Sequence, residues 1–207
     1  ALAVARGFQP QLLYGVTGSG KTEVYLHTVE ARLRAGEQVL VLLPEINLTP
    51  AAQALYETRL APHRVAVLHS NLPELTRTKH WFEAATGAAD VIIATRLGVL
   101  TPMPRLGMVI VDEEHDPSYR QQDVMRYQAR DLALMLGKQR KVPVVLGSAT
   151  PSLESWLKAE EGVYKRLVLK QRAVEGASLP RVDLINTANF PAKEGLSEPA
   201  MQALVKN

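Results

Sequence analysis

The stretch Leu12-Leu13-Tyr14-Gly15-Val16-Thr17-Gly18-Ser19-Gly20-Lys21-Thr22 runs from an apolar strand-like segment through a glycine-rich turn. From Gly15 to Thr22 it fits G-x-x-x-x-G-K-[ST] at every fixed position, the spacing of a loop that cradles nucleotide phosphates. Glycines at 15, 18 and 20, with Ser19 between, let the backbone curl so that several N–H groups face one anion. A helix starting near Lys21 adds the positive end of its dipole. Lys21 would reach the β- and γ-phosphates, and the Thr22 hydroxyl would ligate magnesium. A plain strand-to-helix turn is the alternative. The flanks argue against it, because 23–35 carries Leu26, Val29, Glu30 and Leu33 at helical spacing and stops at Gly36.

Further along, Asp112-Glu113-Glu114-His115 follows the apolar run Met108-Val109-Ile110-Val111. Asp112, at a strand end, can hold magnesium, and Glu113 can position or deprotonate an attacking water. Lys21, Asp112 and Glu113 are therefore the candidate catalytic set, with Thr22 and Asp112 as candidate metal ligands. His115 either couples nucleotide state to the rest of the site or satisfies a local hydrogen bond. Gly147-Ser148-Ala149-Thr150 follows another apolar run, and the hydroxyls of Ser148 and Thr150 can sense the neighbouring carboxylates.

The runs 39–43, 65–68, 91–94, 108–111 and 142–146 are rich in Val, Ile and Leu without polar alternation. Strands covered on both faces read this way, and they imply a parallel sheet. Helical patterns at 50–60, 73–85 and 129–138 alternate with them. The fold class is α/β: an open, mostly parallel sheet with helices on both faces, over about 1–170. All the motifs follow strands, so they should meet at the carboxyl edge, where such sheets bind ligands. From 171 the texture changes to loops at 172–180 and 188–195, a possible edge strand at 181–185 and a short helix at 198–205. We read 171–207 as a linker toward a further domain.

Composition sets bounds. The chain has 207 residues, 46% hydrophobic and 22% charged, in the ordinary range for a globular domain. No apolar run is long enough to span a membrane, and no signal-peptide pattern opens the chain. With zero cysteines, disulfides and thiolate zinc sites are excluded from this chain. A net charge of +3 permits nucleic-acid binding without arguing for it.

Several residues could meet a nucleic-acid strand. Thr49 caps the helix beginning at Pro50, and that helix end, with Thr95 and Arg96, could hold backbone phosphates. Between 118 and 141, Arg120, Arg126, Arg130, Lys138, Arg140 and Lys141 interleave with Tyr119 and Tyr127. This suits either single-strand tracking with base stacking or a solvated basic face. Trp81 and Trp156 sit at apolar helical positions and read as core. His69 has no metal partners nearby in sequence and reads as structural or DNA-proximal.

With these residues in hand, the chain resembles the first helicase lobe of the PriA family, superfamily-two DEAH-type helicases of bacterial replication restart. The carriers are Gly15 to Thr22 with Glu23-Val24-Tyr25, Pro44-Glu45-Ile46, Leu48-Thr49-Pro50, Leu68-His69-Ser70, Asp112-Glu113-Glu114-His115-Asp116, Ser118-Tyr119, Arg126-Tyr127, Ala129-Arg130-Asp131-Leu132-Ala133 and Gly147-Ser148-Ala149-Thr150-Pro151. Val124-Met125 stands where that family shows glycine with proline or tryptophan, and Gln128 where it shows histidine.

The resemblance implies a RecA-like P-loop NTPase lobe that binds ATP and Mg2+. It implies 3′-to-5′ DNA helicase activity at stalled forks, and a loop after the DEEH motif that links single-stranded DNA to hydrolysis. Gly15, Gly18, Ser19, Gly20, Lys21, Thr22, His115, Ser148 and Thr150 would face the nucleotide. Thr49, Thr95, Arg96, Tyr119, Arg126, Tyr127 and Arg130 would face DNA. The partners implied are forked and single-stranded DNA, a second helicase lobe, primosome proteins and single-strand-binding protein. No membrane is expected, and the location implied is the bacterial cytoplasm, at the nucleoid. An amino-terminal DNA-binding domain would precede Ala1, and the second lobe with its zinc insertion would follow Asn207, so no zinc is expected here. Two other functions fit the same motifs: a nucleotide-switched docking module without catalysis, and another DNA translocase or branch-migration helicase.

Overall fold

The computed structural model describes residues 7–123, 125–173, 184–186, 188–190 and 195–205. The chain divides into two compact units, Ala1–Val174 and Glu175–Asn207.

In the first unit, β1 (Pro10–Gly15) leads through the glycine-rich loop into α1 (Lys21–Arg34), then β2 (Gln38–Leu42), α2 (Pro50–Arg59), β3 (Val65–Leu68), α3 (Glu74–Thr86), β4 (Val91–Ala94) and β5 (Leu106–Val111). A small antiparallel ribbon, β6 (Arg120–Gln121) and β7 (Tyr127–Gln128), precedes α4 (Ala129–Arg140), β8 (Val144–Ser148), α5 (Leu153–Glu160) and β9 (Lys165–Leu169). Seven strands form one sheet in the order β3-β4-β2-β5-β8-β1-β9, and every pairing in it is parallel.

The period of two along each strand divides the core. One face carries Leu12, Leu40, Leu42, Ile92, Val109, Val111, Val144 and Leu146, packed with Ala84 of α3, Ala129 and Ala133 of α4 and Ala159 of α5. The other carries Leu13, Val39, Val41, Ile93, Met108, Ile110 and Val145 under Tyr25, Leu26, Val29 and Leu33 of α1 and Tyr56 of α2. Strands β2, β4 and β8 are buried at every residue, which is why they read as unbroken apolar runs.

Besides the ribbon β6–β7, two longer elements lie outside the sequence expectations. Strand β9 carries Lys165 and Arg166 and is half exposed, so its edge position hides it from a search for apolar runs. Helix α5 is only eight residues long; Ser152 caps it by accepting from the Ser155 N–H. The tryptophans are not both core. Trp81 is 42% exposed and meets Phe82 edge-on, whereas Trp156 packs on the core and meets Tyr14 edge-on at 5.5 Å.

In the second unit, α6 (Glu198–Val205) forms where a short helix is expected. Residues 181–183 of the expected edge strand, and most of the flanking loops, lie outside the described residues. No described helix is long and apolar enough to cross a membrane.

Candidate nucleotide site and nucleic-acid face

Because β8 lies between β5 and β1, three strand ends meet side by side at the carboxyl edge: the DEEH turn, the Ser-Ala-Thr turn and the phosphate loop. In the loop, Gly18 and Gly20 adopt φ of 77° and 86°, left-handed values that side chains resist. A Cβ on Gly15 would fall 2.5 Å from Ser19 Oγ, so only glycine leaves this curl open. Ser19 Oγ itself is buried without a partner. A cradle of this kind, lined by N–H groups at a helix start, fits a nucleotide phosphate.

Lys21 Nζ donates to the Gly15 carbonyl at 3.0 Å and lies 3.4 Å from Glu113 Oε1. Glu113 adopts φ of 43°, so the chain turns back immediately after Asp112. Glu113 Oε2 accepts weakly from the Ala149 N–H at 3.5 Å. His115 bridges the adjacent turn: Nδ1 lies 2.8 Å from Ser148 Oγ and Nε2 lies 3.2 Å from Thr150 Oγ1. The structure thus brings Lys21, Asp112, Glu113, His115, Ser148 and Thr150 together, with Thr22 exposed on the first turn of α1.

Burial pushes the Asp112 carboxyl above the usual carboxylate range, against the hydrogen bond from Tyr25, which favours its charge. Tyr25 Oη donates to Asp112 Oδ1 at 2.8 Å. Among the described residues no group of three His, Cys, Asp or Glu could hold a metal. One carboxylate and one threonine hydroxyl suit magnesium, which keeps several waters and shares phosphate oxygens rather than entering an all-protein cage.

The residues expected to face nucleic acid separate into three groups. Arg126 is exposed and Tyr127 half-buried, and with Arg120, Gln121 and Gln122 they line an open recess at the ribbon. Thr49 is exposed and caps α2, accepting from the Ala52 N–H at 3.2 Å. Arg96 reaches Glu45 Oε1 and Gln121 Oε1, both at 2.7 Å, and ties the turn after β4 to the ribbon, while Thr95 beside it is buried.

Two of the expected contacts are corrected. Tyr119 is fully buried, and its hydroxyl lies 3.0 Å from the Leu42 carbonyl and 2.6 Å from that of Asp112, so it has no face on which a base could stack. Arg130 does not project outward. Nη1 lies 3.1 Å from Glu114 Oε2 and 2.9 Å from Ser152 Oγ, while Nε bonds Asp131. A guanidinium engaged on both edges has little left for a phosphate. Sequence reasoning gave no role to Tyr25, Ser152 or Ser155. The signal for Tyr25 was its position one helical turn after Lys21, which places both on one face of α1.

The sequence profile of the DEAD/DEAH box helicases matches residues 3–158. The replication restart protein PriA of Haemophilus influenzae is 46% identical over 198 residues, covering 96% of this chain and 27% of that protein. PriA of Bacillus subtilis is 42% identical over 175 residues, covering 84% of this chain and 22% of that protein. The chain spans about a quarter of the length of these curated relatives. Among solved structures, RecG bound to a three-way DNA junction matches with a TM-score of 0.63 at 24% identity, over 85% of this chain and 22% of that one. The Hef helicase domain of Pyrococcus furiosus matches with a TM-score of 0.53 at 21% identity, over 79% of this chain and 35% of that one. These two structural likenesses show a shared α/β fold.

Proposed function

Since the chain belongs to the DEAD/DEAH box helicase family, we propose that it is the ATP-binding and ATP-hydrolysing first lobe of a 3′-to-5′ DNA helicase that restarts stalled replication. The observation that carries this reading is the 3.4 Å approach of Lys21 Nζ to Glu113 Oε1, which joins the phosphate loop to the DEEH motif in one place. The similarity to PriA along most of the chain supports the replication-restart assignment.

Lys21 rests on the Gly15 carbonyl and beside Glu113. A triphosphate offers it a stronger partner, and its transfer there releases the Glu113 carboxylate. Glu113 then orients the attacking water and takes its proton. Thr22 and Asp112 would hold magnesium, which when bound neutralises charge on the phosphate oxygens. His115, hydrogen-bonded to Ser148 and Thr150, carries changes at the DEEH turn to the start of the segment leading into α5. The ribbon with Arg126 and Tyr127 contacts single-stranded DNA. Residues 171–207 lead toward the second lobe, and primosome and single-strand-binding proteins are the expected partners. The setting is the bacterial cytoplasm, at the nucleoid.

The test is magnesium-dependent ATP hydrolysis with and without forked DNA. It is run on this chain and on one extended through a second lobe, each beside Lys21→Ala. DNA-stimulated turnover confined to the extended protein and lost in the Lys21 variant is expected. Binding of ATP with no turnover in either form overturns the motor assignment.

A further inference from the structure

We propose that Tyr25 is a positioning residue for the magnesium-binding carboxylate, an inference that rests on the nucleotide-site reading above. Tyr25 is 1% exposed, and its ring sits among Leu13, Leu26, Ile110 and Val145 on the α1 side of the sheet. Phenylalanine would serve that packing equally well. The hydroxyl has another use: it donates to Asp112 Oδ1 at 2.8 Å.

Gly147 shows that the fold makes room for this hydroxyl. A Cβ at Gly147 would lie 1.6 Å from Tyr25 Oη and 3.4 Å from Asp112 Oδ1. Strand β8 thus carries glycine where the tyrosine hydroxyl crosses to β5. Burying a hydroxyl is costly unless it is bonded, and here the partner is the one carboxylate assigned to the metal. With Oδ1 held by the hydroxyl, the Asp112 carboxylate is restrained from rotating about its own axis, and it would present magnesium with one fixed orientation. Partners that fix a ligating carboxylate in this way typically change metal affinity by about 10–100-fold when removed.

The experiment uses this chain with N-methylanthraniloyl-ATP as the fluorescent probe. Nucleotide affinity is measured without metal and across a magnesium titration, and manganese bound beside the nucleotide is followed by electron paramagnetic resonance. Tyr25→Phe should keep the metal-free nucleotide affinity within about twofold while weakening magnesium and manganese by about 10-fold or more. Gly147→Ala should weaken the metal through the same hydroxyl, and its effect should shrink when combined with Tyr25→Phe. Gly147→Ala alone, which keeps the tyrosine but displaces its hydroxyl, gives a second test if Tyr25→Phe folds poorly. A wild-type chain that needs magnesium, beside a Tyr25→Phe chain with the same magnesium dependence, overturns the inference alone. So do additive losses in the two variants, or losses that scale metal-free and metal-bound affinities together, since both mark mere packing. A wild-type chain that binds no nucleotide in magnesium overturns the site reading, and the inference with it.

Discussion

Arg130 Nη1 meets Glu114 Oε2 at 3.1 Å, and the Glu114 side chain has no exposed surface at all. The same carboxylate accepts from the Ser152 N–H at 2.7 Å, from Ser152 Oγ at 3.1 Å and from Ser155 Oγ at 2.9 Å. One buried anion therefore ties the DEEH turn to the first turn of α4, just beyond the ribbon, and to the start of α5. The third letter of the motif is a structural rivet between two residues proposed to act on the nucleotide, Glu113 and His115.

Removing one member of such a pair leaves the other charge buried. Arg130→Met should lower the free energy of unfolding by about 2–4 kcal/mol, toward the lower part of the range for broken buried pairs because three serine and backbone donors remain. Urea denaturation measures it. A loss under about 1 kcal/mol would mean that those donors suffice. Glu114→Gln, which removes the charge but keeps an acceptor, should cost less than Arg130→Met.

Alkaline stability follows from three buried tyrosines. Burial is the first cause that raises Tyr25, Tyr56 and Tyr119 above the ordinary value of about 10. A raised folded value means that the unfolded chain loses its protons first, so the stability contribution is complete below pH about 10 and is lost as pH rises beyond it. Of six tyrosines, these three should ionise only as the chain unfolds. A spectrophotometric titration run beside circular dichroism checks this. Six tyrosinates formed before any loss of helix would contradict it.

The two halves of the ribbon region call for opposite outcomes on DNA. Arg126 is exposed, so Arg126→Ala should weaken binding to single-stranded DNA and reduce the slope of log affinity against log salt by about 0.7. Tyr119→Phe should leave binding unchanged and cost about 1 kcal/mol of stability, the ordinary worth of the hydrogen bond it loses. Fluorescence anisotropy at several salt concentrations, with thermal melts alongside, separates the two.

The contrast between those tyrosines also shows what a sequence can disclose. The meeting of Lys21 with Glu113 was legible because phosphate chemistry demands fixed residue types at fixed spacing, and β2, β4 and β8 because strands buried on both faces are mostly apolar. Tyr119 was not legible. An aromatic between charged residues reads as a surface stacker until the fold turns it under the sheet edge onto the carbonyls of Leu42 and Asp112. Arg130 misled for the same reason: its partner Glu114 lies back across the ribbon, just after β5, and only the packing of α4 against β5 brings the two together.

Thr49 offers a case in which one side chain could serve two ends. Its cap on α2 is worth about 1 kcal/mol, so Thr49→Ala should lower stability by that amount whatever it does to DNA. Thr49→Ser keeps the cap. If Thr49 also meets a phosphate, the serine variant should retain DNA affinity and the alanine variant lose it. Equal affinity for both would confine Thr49 to its capping role.

In the proposed mechanism Glu113 competes with the nucleotide for Lys21. The ion pair at 3.4 Å must open before Lys21 can reach a phosphate, and Lys21 is only 9% exposed while it is closed. Glu113→Gln removes both the competitor for the lysine and the base for the water. It should therefore bind ATP as tightly as the parent or more so, while hydrolysis by the two-lobed protein falls by about 10²–10⁴-fold. Lys21→Ala should lose both functions, since nothing else in the loop reaches the terminal phosphates as a point charge. Equilibrium nucleotide binding and single-turnover hydrolysis on the same preparations check the split. Glu113→Gln binding markedly more weakly than the parent would place that carboxylate among the groups that hold the nucleotide, not the one that activates water.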